Sequence, residues 1–159
     1  MLGDTCVHHY DAASATGATF GVAADLAAEV ITENLTLLAT PAFAALRPKV
    51  AELRGEGERI GLVPGRQDPS PGWLITRTPE GPRWERSRAN TNTRTQTHAR
   101  TRTRTQTRTR TQTHVDVVVS GEVTDLMLLL SRRIPPEDHR VTVTGDAAPL
   151  THWLTHTAL

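Results

Sequence analysis

Val115-Asp116-Val117-Val118-Val119, the apolar run Leu126-Met127-Leu128-Leu129-Leu130, and Arg140-Val141-Thr142-Val143-Thr144 together decide the fold class. The first segment has the β-branched density of an interior strand, and Gly121 closes it. Leu126 to Leu130 carries more apolar residues than one helix face needs, which predicts a helix buried on several sides. Thr124 is its candidate N-cap, Asp125 a cap or dipole partner near its start, and Pro135-Pro136 its stop. The third segment alternates as a strand, so the order strand, helix, strand predicts a right-handed crossover and a parallel pair. Gly145-Asp146 then turns the chain into a last helix, Pro149 to His156, where Pro149 near the first turn loses no needed hydrogen bond.

Working back toward the N-terminus, Arg83-Trp84-Glu85-Arg86 and Trp73-Leu74-Ile75-Thr76-Arg77 read as two strands joined by the turn Thr78-Pro79-Glu80-Gly81, a hairpin. Ile60 to Val63 is a further short strand stopped by Pro64-Gly65, and Arg66 to Gly72 is a loop. Gly55-Glu56-Gly57 breaks a weak helical arm around Phe43 to Leu53. From Val22 to Ala39 the spacing of Val22, Leu26, Val30, Leu37 and Leu38 predicts an amphipathic helix with Asp25 and Glu29 on its early turns, ended by Pro41. Residues 4 to 15 form a helical end, with Val7, Tyr10 and Ala15 at helical spacing and Gly17 as C-cap. The predicted class is α+β, a small sheet of about five strands packed with two or three helices.

The 159 residues suffice for one modest core. With 37% hydrophobic and only 4% aromatic residues, packing depends on Ala, Leu and Val plus three tryptophans. The formal charge of +1 hides a strongly basic segment, residues 83 to 113, in an otherwise acidic chain. The single cysteine, Cys6, has no internal disulfide partner. The longest apolar run, Val123 to Leu130, is too short for a membrane span and is broken by Thr124 and Asp125. Met1-Leu2-Gly3-Asp4 lacks the pattern of a signal peptide, which makes a cytoplasmic location the default expectation.

Between the strands at Arg83 and Val115 lies a tract, residues 88 to 113, in which from Thr91 onward nearly every second residue is Thr and Arg, Gln, His or Asn stands between. A strand of that pattern would bury neither face, so disorder is expected, as an insertion expanding a hairpin loop. Such a loop is cheap, since each doubling of length costs about 0.6 kcal/mol of closure entropy. An arginine-rich segment can also tether nucleic acid, but no aromatic residue here offers base stacking. A tolerated low-complexity insertion is the preferred interpretation.

Asp4-Thr5-Cys6-Val7-His8-His9-Tyr10-Asp11-Ala12 is the run most suggestive of chemistry. In a helix, Asp4 and His8 project from one face, so carboxylate and imidazole can both reach one divalent metal. Two ligands do not complete a site, and an ordinary polar helix end is the alternative. His152 and His156 have the same spacing on the final helix, where exposed positions beside Trp153 explain them as well. Arg133 near the end of the Leu-rich helix is suited to its dipole.

The run resembles a segment of mycothiol-dependent maleylpyruvate isomerases, Glu-x-x-x-His-Arg-Trp-Asp-Ala, at the end of their DinB-like four-helix bundle. Gly121-Glu122-Val123-Thr124-Asp125-Leu126, Arg132-Arg133, Val143-Thr144-Gly145-Asp146 and Trp153-Leu154 are similar to that family's carboxy-terminal domain. The resemblance implies that residues 1–17 are the remnant of the last bundle helix and 18–159 a sterol-carrier-like C-terminal α/β domain interrupted by 88–113. It implies Asp4 and His8 as metal ligands, with Asp4, one methylene shorter, where the family has Glu. It also implies Arg133 as the holder of a substrate carboxylate, with Arg132 standing where the family often has Gly. Zinc and mycothiol are the implied cofactors: the metal activates a thiolate that adds to a cis double bond of an unsaturated carboxylate, permits rotation and leaves.

The family's remaining His ligand belongs to an earlier helix, for which this sequence has no counterpart before Asp4. The leading expectation is therefore a truncated relative of these isomerases, inactive alone. The alternatives are a non-catalytic small-molecule or lipid-binding module whose pocket is lined by Leu126 to Leu130, and a subunit completed by a partner chain that covers an apolar face on residues 7 to 15.

Overall fold

The computed structural model describes residues 2–65, 71–87 and 114–157. Helix α1 (Leu2–Thr16) is followed by α2 (Ala24–Leu38), the short helices α3 (Pro41–Leu46) and α4 (Pro48–Ala51), and strands β1 (Arg59–Pro64), β2 (Gly72–Thr78) and β3 (Gly81–Ser87). After residues 88–113 come β4 (Val117–Gly121), α5 (Val123–Leu130), β5 (Val141–Gly145) and α6 (Ala148–His156). The strands form one sheet in the order β3-β2-β1-β4-β5. The expected α+β class with about five strands is what the chain adopts.

Alternation along the strands sends Ile60, Leu62, Trp73, Ile75, Val117 and Val119 to one face, all fully buried. Helices α2, α5 and α6 cover that face. α2 contributes Ala27, Val30, Ile31, Leu35 and Leu38 to the core. Their spacing is helical, but the stripe is rotated from the expected one, and Leu26 and Leu37 lie half-buried at its flanks. Trp73 is anchored by an Nε1–H bond to Thr32 Oγ1 on α2 (3.1 Å). Trp153 is buried from α6, and Trp84 packs at the margin.

α5 is buried all round, as its composition predicts: Val123 and every residue from Leu126 to Leu130 belong to the core. Its ends differ from expectation. Glu122, not Thr124, occupies the N-cap, with no side-chain bond to the backbone. The helix stops at Ser131, four residues before Pro135, because the chain turns there into the left-handed region at Arg132 (φ 59°). Arg133 N–H bonds to Leu128 O (2.8 Å) and Arg132 N–H to Leu129 O (2.9 Å). These are the two bonds of a Schellman turn, normally built on glycine. At the other helix end where a cap was expected, Gly17 (φ 70°) fills that role, with Ala18 N–H on Ala13 O (3.0 Å).

The expected parallel pairing across α5 is overturned: β4 and β5 are antiparallel, with Gly121 opposite Val141. An eight-residue helix advances the chain about 12 Å, and the ten-residue segment 131–140 then runs back over the same distance. The chain therefore re-enters the sheet at the end it left. The parallel pair is instead β1 with β4, Ile60 opposite Val117. Gly145 (φ 102°) closes β5 where a Cβ would lie 2.2 Å from Asp116 O, so only glycine fits.

Residues 88–113 do not expand a hairpin loop either, because β3 and β4 are separated by β2 and β1. The registers set Ser87 level with Ser120, so Ser87 and His114 are separated by about 14 Å across the sheet and about 20 Å along the strands. That needs at least about eight extended residues. The expected disorder of this tract, and the loop at 66–70, lie outside the described residues.

Pro41 does not simply end α2. It opens α3, as Pro48 opens α4, each in the first turn. The arm is tied to the sheet by Arg77, whose guanidinium donates to Leu53 O (3.3 Å) and Arg54 O (2.7 Å) and lies 3.6 Å from Glu58. No helix among the described residues is long and apolar enough to cross a membrane.

Candidate binding cleft

α1 lies against α2 through Cys6, which joins the core cluster; Ala13 is buried as well, while Ala15 of the expected apolar stripe is exposed. Tyr10 meets Phe20 edge-on, ring centroids 5.1 Å apart. Close approach is possible at Gly3, where an added Cβ would stand 3.3 Å from Val30 Cγ1. The remaining hold on α1 is polar. Asp11 receives two parallel bonds from Arg133, Nε to Oδ1 at 2.7 Å and Nη2 to Oδ2 at 2.8 Å. This paired geometry holds the Asp11 carboxyl below its ordinary range, and raises the Arg133 guanidinium in turn.

Where α1, α2 and the end of α5 meet, they enclose a cleft of about 380 Å³. Val7, Val30, Leu37 and Leu130 form its apolar wall, Asp4, Glu33, Arg132 and Arg133 its charged rim, and His8 stands beside them. Asn34 and Thr157 add neutral polar groups. Asp4, His8 and Arg133, three of the residues singled out from the sequence, thus border one cleft. The half-buried Leu37, which the expected helix stripe had placed in the core, is part of its wall.

The metal expectation meets a geometric obstacle. His8 lies 3.7 Å from Asp4 and 3.8 Å from Asp11, in a line along α1. Asp4 and His8 are 75% and 70% exposed. Among the described residues no group of three His, Cys, Asp or Glu side chains is placed to hold a metal ion. The pair alone does not fit a resident zinc, which takes at least three protein ligands. The pocket expected along Leu126 to Leu130 lies differently: Leu130 alone of these reaches the cleft, and the other four are buried in the core.

Asp11, given no role on sequence grounds, is the missed residue. Its position three after His8 was the available signal. Arg140 binds both oxygens of Asp138 (2.9 Å each) and lies 3.7 Å from Asp125. Burial raises the Asp125 carboxyl despite the attraction of Arg140, whereas the bonds from Arg140 hold Asp138 far below the ordinary carboxylate range. Asp146 works as read from the sequence, accepting the Ala148 N–H at the start of α6 (3.0 Å). His152 and His156 stack at 4.2 Å on α6, away from the cleft lining.

No family model matches the chain, and no curated protein does. A solved structure titled "UbiJ-SCP2 Ubiquinone synthesis protein" is similar to it, with a TM-score of 0.44 and 13% identity over 83% of this chain and 92% of that one. A likeness so distant bears on neither site nor ligand.

Proposed function

We propose that this chain is a non-catalytic binding module, whose cleft takes a compact amphipathic molecule with an anionic head. The observation that carries this reading is the division of the cleft, an apolar wall from α1, α2 and α5 beneath an arginine lip. Its volume lies within the range of about 300–1,000 Å³ common for small-molecule sites. The acidic rim groups sit on the α1 and α2 side, Asp4 near His8 and Glu33 facing the Gly3 N–H at 3.4 Å, so the head is directed to the arginines. A cytoplasmic setting accords with the lone cysteine. Calorimetric titration of the purified chain with octanoate, octanol and octylamine, without added metal, tests the proposal. Octanoate is expected to bind most tightly; if none of the three binds at millimolar concentration, the reading fails.

The convergence of Asp4, His8 and Arg133 on one cleft favours a second reading, a relative of the mycothiol-dependent maleylpyruvate isomerase-like family. In it Arg133 serves a substrate carboxylate, and a partner chain supplies the ligands that Asp4 and His8 lack. Incubation with zinc, mycothiol and maleylpyruvate is expected to yield no isomerisation by this chain alone. Turnover at enzyme-like rates would replace the binding-module reading with this one.

A further inference from the structure

Two arginines border the cleft side by side, and they are in different states. Arg133 is already engaged: its Nε and Nη2 donate to Asp11 and its Nη1 to Ser131 O, so a ligand carboxylate has to compete with a carboxylate held beside it. Arg132 lines the same cleft, is exposed, and pairs with no carboxylate among the described residues. It is also the one described non-glycine residue with positive φ, 59°. A side chain in that region strains the backbone, and the Schellman turn at the end of α5 would form more easily with glycine. The same turn fixes the arginine's backbone at the cleft lip through the Leu128 and Leu129 carbonyls.

We propose that Arg132 is the specificity-determining residue of the cleft, receiving the carboxylate head of its ligand, while Arg133 serves to hold α1 through Asp11. The proposal rests on the binding-module reading and adds to it which cation meets the ligand. A planar guanidinium presented from a fixed backbone matches a carboxylate with two parallel bonds, and less entropy is lost than by a free side chain. A strained arginine where glycine is easier is accounted for by this use.

Arg132→Gly separates the roles, because it relieves the turn and removes only the side chain. Expected are a higher melting temperature, an octanoate affinity about tenfold weaker than the parent's, and unchanged octanol affinity. Equal octanoate binding by parent and variant would overturn the assignment and leave the binding module standing. Parallel loss of octanoate and octanol would overturn it too, since the side chain would then shape the cleft rather than receive the head. Absence of any binding by the parent chain would sink both readings together.

Discussion

Helices α1 and α5 end in the same kind of turn, one on Gly17 and one on Arg132, yet they are held by opposite means. α5 has almost no polar surface to satisfy and is fixed by burial on every side. Among the described side chains of α1 only Cys6 and Ala13 are buried outright, and its hold depends on the Asp11–Arg133 bonds and edge contacts at Tyr10. The two helices therefore give way in different manners. Removing apolar atoms around α5 threatens the whole core, whereas breaking charge pairs on α1 releases a helix and the cleft wall it carries.

Leu129→Ala in α5 is expected to have the largest effect. Leu129 is fully buried, and its truncation is expected to cost about 2–5 kcal/mol of unfolding free energy in urea titrations. A loss below about 1 kcal/mol would mean that α5 is not the keystone described. Asp11→Asn is the counterpart on α1, expected to shift the urea midpoint far less. Its effect should show in hydrogen exchange, with residues 2–16 exchanging faster and β1 and β4 unchanged. A midpoint falling as far as that of Leu129→Ala would erase the distinction between the two helices.

The smallest expected effect concerns α6, which combines both kinds of hold. Leu150 and Trp153 are buried, while His152 stacks on His156 and its Nδ1 is buried without a partner among the described residues. Burial, then the nearby charges of Arg77 and His156, lower the His152 pKa from its ordinary 6.5. The unfolded chain therefore takes up this proton before the folded one does. Stability is complete above 6.5 and declines as pH falls through that value toward the lower folded pKa. Melting temperatures between pH 7.5 and 5.5 should fall slightly for the parent and stay flatter for His152→Gln; identical slopes would remove His152 from the account.

Much of the secondary structure was legible because periodicity records burial directly. Alternation along Arg140 to Thr144 and the saturated Leu126 to Leu130 run each name a face or its absence. The helix ends were less legible: Thr124 and Pro135 are strong local signals, yet Glu122 and the turn at Arg132 hold those positions. Strand pairing was misread between β4 and β5 because no local pattern records how far segment 131–140 doubles back. At the cleft, Asp4 and His8 drew attention by their helical spacing and Arg133 by its place after the Leu-rich helix, while Asp11, 122 positions from Arg133, did not.

The sequence by itself determined which stretches are strands and helices and that α5 is buried, since these depend on neighbours a few residues apart. Only the tertiary structure decided that β1 pairs in parallel with β4, that Asp11 occupies Arg133, and that Arg132 is left facing the cleft. Those outcomes depend on contacts between distant segments, whose geometry is set by the packing of the whole core rather than by any local pattern.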